Sequence, residues 1–185
     1  GGYRIEPYFI RKVEDMYGNV LYKRKEQEKL QILNPGITFI LNELLSGTFD
    51  YRLNDYTVPT GIGIASKLTR KYAAKSGSTN TDNWMIGYNP ELIGAVWVGH
   101  DYYDAEQTTN FSYARNIWAD TIEKTLSDKP EVWYDIPQNV VGVLINPING
   151  KVATENSKVK KIIYYIKGTE PTSASPDEIV SKDFN

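Results

Sequence analysis

Residues 73–101 read AAKSGSTNTDNWMIGYNPELIGAVWVGHD. Three runs in and beside this stretch are strand-like: KYAAKSG (71–77), NWMIGYN (83–89) and LIGAVWVGH (92–100). Their aromatic and β-branched residues suit a pleated, half-buried surface. Only the four residues NPEL (89–92) join the second run to the third, a length that fits a turn between antiparallel neighbours. The stretch therefore predicts a three-stranded antiparallel meander. Lys75-Ser76-Gly77-Ser78 puts a cation, two hydroxyls and a glycine at the end of its first strand. In isolation such a quartet is a solvated polar turn. On an edge strand beside a cleft it becomes a binding element.

Outward from the meander, a helix is predicted on each side. Upstream, Asn34 can cap a helix whose first position is Pro35, where the missing N–H costs nothing. Ile37, Ile40, Leu41, Leu44 and Leu45 recur at helical spacing and predict its buried face, with Gly47 as the stop. Downstream, NFSYARNIWADTIEKTL (110–126) predicts a helix over Phe111–Leu126. Tyr113, Ile117, Thr121, Ile122 and Leu126 share one side, with Trp118 at its border. Pro59, Gly61 and Gly63 mark residues 48–70 as loop. At the start, YFIRKVED (8–15) and VLYKR (20–24) flank the turn signal MYGN and predict a hairpin. After Pro130 the runs VVGVLINPINGKVAT (140–154) and KKIIYYIKG (160–168) are strand-like. The expected organisation is 1–128, a small β-rich module over 129–170, and a flexible tail over 171–185. The fold class is α/β: an antiparallel sheet with packed helices.

Composition narrows the chemistry. With 41% hydrophobic residues the chain can bury a core, and a net charge of −2 offers no footprint for nucleic acid. No apolar run approaches the ~20 residues of a membrane span. The absence of cysteine excludes disulfides and thiolate metal sites. His100 is the sole histidine, so a multi-histidine zinc site is impossible and a Ser-His-Asp triad would depend on His100 alone. His100 is read as a loop residue.

Residues 73–101 resemble the transpeptidase domain of class A penicillin-binding proteins. That family carries K-[TS]-G-T-T-N, an aromatic-rich strand, G-Y-x-P and V-W-V-G-x-D, and Lys-Thr-Gly belongs with S-x-x-K and S-x-N elements. GGYRIEPYFIRKVED and GNVLY resemble the strand pair that precedes this element, and GTEPT (168–172) resembles the family's close. The resemblance implies a serine D,D-transpeptidase that cross-links peptidoglycan stem peptides ending in D-Ala-D-Ala and is acylated by β-lactams. Lys75 would supply positive potential for the substrate carboxylate and bond the S-x-N serine. Ser76 and Ser78 would donate hydroxyl hydrogens to that carboxylate. Gly77 would let substrate backbone approach, and the Ser78 N–H would be one oxyanion-hole donor. Thr79 and Asn80 would extend the rim, with Asp82 as a loop cap and Trp84 as packing. Lys71 is expected to face solvent on the same strand. Ser76 and Ser78 replace the usual threonines, which keeps the hydroxyls and removes the methyls that restrict χ1. No metal or cofactor is expected.

The nucleophile is not among these residues. Ser157-Lys158-Val159-Lys160 spells S-x-x-K, but it lies in the β-rich module, and a lysine at i+3 meets a serine only on a helix. Ser78-Thr79-Asn80 spells S-x-N within the wrong element. The resemblance therefore implies that the acyl-serine, its lysine and the S-x-N loop precede Gly1. A glycosyltransferase domain and a membrane anchor on the extracytoplasmic face of the bacterial cell membrane would precede Gly1 too. The remainder of the same protein then becomes the expected partner. Two other readings stay open: a serine β-lactamase fragment, and a non-enzymatic module that binds cell wall or protein.

Overall fold

In the computed structural model, which describes residues 1–53, 57–102, 110 and 112–174, pairing begins in an outlying arm. Strands β1 (Tyr3–Arg4) and β4 (Leu30–Gln31) pair antiparallel, and between them β2 (Lys12–Glu14) and β3 (Val20–Lys23) form the expected hairpin. The Asp15 carboxylate accepts the N–H groups of Tyr17 and Asn19 across the turn, and Gly18 takes φ +83°, a conformation glycine adopts without strain. Almost all of the arm is exposed.

Helix α1 (Pro35–Ser46) starts as expected, with Asn34 Oδ1 accepting from Gly36 N at 2.8 Å and Ile37 N at 3.3 Å. Its buried face is not the predicted one. Gly36, Phe39 and Asn42 point inward, whereas Ile37, Leu41 and Leu44 are exposed, Leu44 by 63%. Specific partners decide the rotation. Phe39 meets Tyr164 edge to face at 5.1 Å, and Asn42 Oδ1 accepts from Tyr88 Oη at 2.8 Å. Burying a paired amide and an aromatic edge here outweighs burying a longer aliphatic stripe. Gly47 caps the helix in right-handed conformation and leads into a 3₁₀ turn, Gly47–Phe49. Two more 3₁₀ turns, Tyr51–Leu53 and Ile62–Lys67, occupy the segment read as loop, and the second puts Ile64 in the core.

The meander forms in the predicted order. Strands β5 (Ala73–Ser78), β6 (Asn83–Tyr88) and β7 (Ile93–Val98) are antiparallel neighbours, with Ser76 opposite Met85 and Met85 opposite Val96. Asn89 Oδ1 accepts the N–H groups of Glu91 and Leu92 and holds the NPEL turn. Side chains alternate along β6: Asn83, Met85 and Gly87 are buried, Trp84 and Ile86 exposed.

Helix α2 (Tyr113–Thr125) packs on the buried face, and Phe111 lies outside the described residues. Here too the helix is rotated from expectation. Trp118 is central and only 1% exposed, flanked by Ala114, Ala119 and Ile122, while Tyr113 is 55% exposed and Ile117 also lies outside. Two glycines make the slot. A Cβ on Gly87 would stand 2.3 Å from Trp118 Cζ2, and Trp118 Nε1 donates to Gly94 O at 3.2 Å. Two alanines bring the helix close enough for the indole to enter.

The remaining strands, β8 (Val140–Asn146), β9 (Lys151–Val152) and β10 (Lys161–Ile166), form a separate antiparallel sheet in the order β10-β8-β9. α1 joins it to the rest: Gly36 lies against Asn139 and Ile166, and Lys161 Nζ reaches Asp50 Oδ2 at 2.7 Å. Next to β9, Val152 pairs with Ala174 and donates its N–H to Ser173 O at 3.0 Å. Residues 175–185 lie outside the described set.

Candidate functional site

Among the described residues β5 is an edge strand paired only with β6, and its hydrogen-bond direction follows from the turn that ends it. Thr79 N donates to Asp82 O at 2.9 Å, so the pairs Gly77–Trp84 and Lys75–Ile86 bond inward to β6 by antiparallel alternation. The backbone groups of Ala74, Ser76 and Ser78 then point to the opposite edge. Two side chains sit accordingly. Thr48 Oγ1 donates to Ala74 O at 2.9 Å, and Lys75 Nζ donates to Ser76 O at 2.5 Å. Thr48 thus closes the edge at Ala74. The outward backbone of Ser76 and Ser78 remains beyond it, and the Ser78 N–H is among those groups.

The side chains divide between the two faces. Ser76 and Ser78 lie on the α2 side, opposite Met85 and Asn83; Lys75 and Gly77 lie on the other face, beside Ile86 and Trp84. The edge between them is reachable from both. Among the described residues a Cβ on Gly77 would meet only Trp84 Cβ, at an ordinary 3.5 Å, so no packing between them demands glycine there.

Thr79 has its hydroxyl committed. It donates to Asp82 Oδ2 at 3.0 Å and accepts from Thr81 N and Asp82 N. Asp82 also accepts from Thr81 Oγ1 and, at 3.1 Å, from Trp97 Nε1. The hydrogen bond from Thr79, then those from Thr81 and Trp97, hold the Asp82 carboxyl below its ordinary range, helped by the nearby charge of His100. The loop-cap reading of Asp82 thereby acquires its geometry. Trp84 is not core packing: it is 45% exposed and leans on Trp97 with ring centroids 6.5 Å apart. Asn80 and His100 line a shallow depression over the turn with Thr79, Thr81 and Asp82.

Lys71 departs from expectation. It precedes β5, pairs with both Glu43 oxygens at 2.6 and 2.7 Å, and stands 4.6 Å from the Trp133 ring centroid. Trp133 Nε1 also donates to Glu43 Oε1 at 2.5 Å. This knot ties α1, the root of β5 and the approach to the C-terminal sheet. Ser157 is buried in a turn where its Oγ accepts from Thr154 N at 3.0 Å, and Lys160 Nζ turns away to Glu155 O. No helix brings that pair together.

Sequence reasoning passed over Thr48, Glu43 and Trp133. Thr48 sits in an aperiodic stretch 26 residues before its partner, and Trp133 is 90 residues from Glu43. No local pattern signals such contacts. Among the described residues no cluster of His, Cys, Asp or Glu could hold a metal ion, and no helix is long and apolar enough to cross a membrane.

Residues 136–179 match the family model described as "Penicillin-binding protein 1A, C-terminal domain". The chain is 43% identical to "Penicillin-binding protein 2D" of Bacillus subtilis over 94% of its own length and 25% of the relative's. It is 26% identical to "Penicillin-binding protein 1A" of Aquifex aeolicus over 92% of its length and 23% of the relative's. The chain thus spans about a quarter of the curated relatives it matches. A crystal structure of Penicillin-Binding Protein 1A from Haemophilus influenzae shares the fold, with TM-score 0.77 and 23% identity over 95% of this chain and 31% of that one. Together with the Lys75-Ser76-Gly77 edge strand, these likenesses place the chain in the class A penicillin-binding proteins, as a portion of their C-terminal region.

Proposed function

We propose that this chain supplies one wall of a serine D,D-transpeptidase site that cross-links peptidoglycan and is acylated by β-lactams. The observation that carries the reading is the β5 edge at Ser76–Ser78, which no strand among the described residues pairs with, beside a glycine that no described neighbour requires. A peptide ending in D-Ala-D-Ala pairs along that edge. Its carboxylate meets the Lys75 ammonium and the Ser76 and Ser78 hydroxyls, and Ser78 N–H donates to the developing oxyanion. Lys75 leaves the Ser76 carbonyl when substrate arrives, which frees that acceptor for pairing. Gly77 admits the approaching backbone. Thr79 shapes the turn below the site, and Asn80 stands at its rim.

The nucleophilic serine, its lysine base and the S-x-N loop come from a preceding segment, corresponding to the part of the relatives that this chain does not span. Residues 1–128 belong to the transpeptidase unit, with 129–170 as an appended β-rich module. The complete protein works on the extracytoplasmic face of the cell membrane, held there by an N-terminal anchor. A glycosyltransferase domain makes it bifunctional.

The test measures second-order acylation of the full-length protein by a fluorescent penicillin. A charge-assisted contact contributes roughly 1.5–3 kcal/mol, so Lys75→Ala lowers the rate at least about tenfold. Lys71→Ala, which loosens the knot behind the strand, lowers the thermal midpoint and leaves the rate per folded molecule within about twofold. The 185-residue chain alone gains no mass with benzylpenicillin. Equal rates for wild type and Lys75→Ala, or a stoichiometric adduct on the isolated chain, would overturn the reading.

A further inference from the structure

The arm of residues 1–33 carries a charge pattern that the proposed transpeptidase chemistry does not use. Lys12 stands directly opposite Lys23 in the β2–β3 ladder. Arg24 N donates to Arg11 O at 3.0 Å, which continues the ladder and sets Arg11 against Arg24. Two consecutive cross-strand pairs are therefore like-charged. Such pairs weaken a two-stranded ribbon, and each face of this one carries a pair. A groove of about 960 Å³ opens between the hairpin and residues 24–29. Seven of its twelve lining residues are lysine or arginine, against two glutamates, in a chain whose net charge is −2.

Some of these cations are already engaged. Lys12 Nζ pairs with Glu14 at 2.5 Å and Arg4 with Glu6 at 3.6 Å. The Arg24 guanidinium lies 4.0 Å over the Tyr8 ring, and Lys29 Nζ lies 5.7 Å from the Tyr3 centroid. Arg11, Lys23 and Lys25 have no side-chain hydrogen bond or ion pair among the described residues, and all three are exposed. Of the seven cations, two are paired with carboxylates, two lie over tyrosine rings, and three have neither kind of partner among the described residues.

We infer that this groove binds a linear, flexible polyanion with phosphate esters along its chain. Its concavity suits a strand of polymer and does not suit the flat surface of a bilayer. Tyr8 and Tyr3 each carry a cation over one ring face, which takes a face that a stacked base of single-stranded nucleic acid would use. Arg11 offers a planar fork that grips phosphate oxygens in pairs, and Lys23 and Lys25 add point charges, while Arg24 is held over Tyr8 and on the Glu6 carbonyl. Recognition is by charge spacing along the ribbon, and binding weakens as salt rises.

The experiment uses fluorescein-labelled poly(glycerol phosphate) and the full chain, read by fluorescence anisotropy at two salt concentrations. Arg11→Gln, Lys23→Gln and Lys25→Gln combined weaken binding about tenfold or more at low salt, since phosphate contacts are each salt-sensitive ion pairs. A second triple, Lys124→Gln, Lys129→Gln and Lys167→Gln, removes the same charge elsewhere and leaves binding within about twofold if the groove is the site. Unchanged amide hydrogen exchange along the Lys12–Lys23 ladder in the first triple shows that binding, not the hairpin, was lost. Equal losses in the two triples would overturn the proposal. So would equal affinity for polyglutamate, for single-stranded DNA, or for anionic vesicles. Penicillin acylation plays no part in the readout, so the groove can fail while the transpeptidase reading stands, and the reverse.

Discussion

The meander with α2 and the N-terminal arm are both built from antiparallel strands, and only one of them has a core. In β6 every second side chain enters a packed layer, and α2 covers it with Trp118 in a slot cut by Gly87 and Gly94. In the arm, Val13, Val20 and Tyr22 stand in solvent although their backbones pair. Pairing satisfies the backbone. It does not remove apolar surface from water unless a second layer lies across the sheet. Stability should therefore concentrate in residues 73–126, and substitutions in the two regions should differ by several kcal/mol.

The sharpest test removes the indole. Trp118→Ala deletes the largest fully buried side chain, whose ring also stacks on Phe49 at 5.9 Å and meets Tyr72 edge-on at 5.3 Å. Such a truncation costs about 3–5 kcal/mol. The urea midpoint should collapse or cooperativity should vanish. A loss under about 1 kcal/mol, typical of surface sites, would mean that the α2 layer is not the core.

Gly87→Ala attacks the same slot from the sheet side. Its new methyl would stand 2.3 Å from Trp118 Cζ2, so the helix must shift. Overpacking of this kind costs about 1–3 kcal/mol. Gly77 should behave differently: among the described residues alanine meets nothing closer than 3.5 Å there, and stability should hold. Differential scanning calorimetry of the two variants compares them directly; equal midpoints would break the slot argument.

How much of this was legible in the sequence depends on the range of the interaction that decides it. The meander, the NPEL turn, the Asn34 cap and the arm's hairpin turn rest on contacts a few residues apart, and all were readable. Both helix faces were legible only in part: Ile122 and Leu126 are buried as expected, but aliphatic spacing alone cannot know that Tyr88 waits for Asn42 or that two glycines wait for Trp118. Lys75-Ser76-Gly77-Ser78 was found as a motif. Its outward edge, and the Thr48 hydroxyl that closes it at Ala74, depend on ladder phase and on a loop without period.

Asp50 sharpens the comparison at the seam between α1 and the C-terminal sheet. Burial would raise its pKa, but hydrogen bonds from Arg52 and Lys161 outweigh burial and hold the carboxyl well below the usual range. A folded-state pKa below the unfolded one contributes stability above the unfolded value, near pH ~4. That contribution is lost as pH falls below it toward the folded value. Wild type should therefore lose stability between neutral pH and strong acid more steeply than Asp50→Asn. Chemical denaturation along a pH series checks this, and parallel curves would remove Asp50 from the seam's electrostatics.

The smallest effect belongs to the arm. Phe9 is as exposed as an isolated side chain can be, and Phe9→Ser removes an apolar ring that touches no buried layer. Little hydrophobic stabilisation is lost when nothing was buried, so the change should stay within about 0.5 kcal/mol. The measurement is the urea midpoint at two protein concentrations. A larger loss that appears only at the higher concentration would mean that arms pack against one another between molecules, which would give the exposed ring a layer after all. A larger loss at both concentrations would mean that the arm folds back onto its own chain. Either result would erase the contrast between paired and packed strands. A null result at both concentrations, beside a collapse for Trp118→Ala, would confirm that the layer across the sheet, more than the ladder within it, holds this chain together.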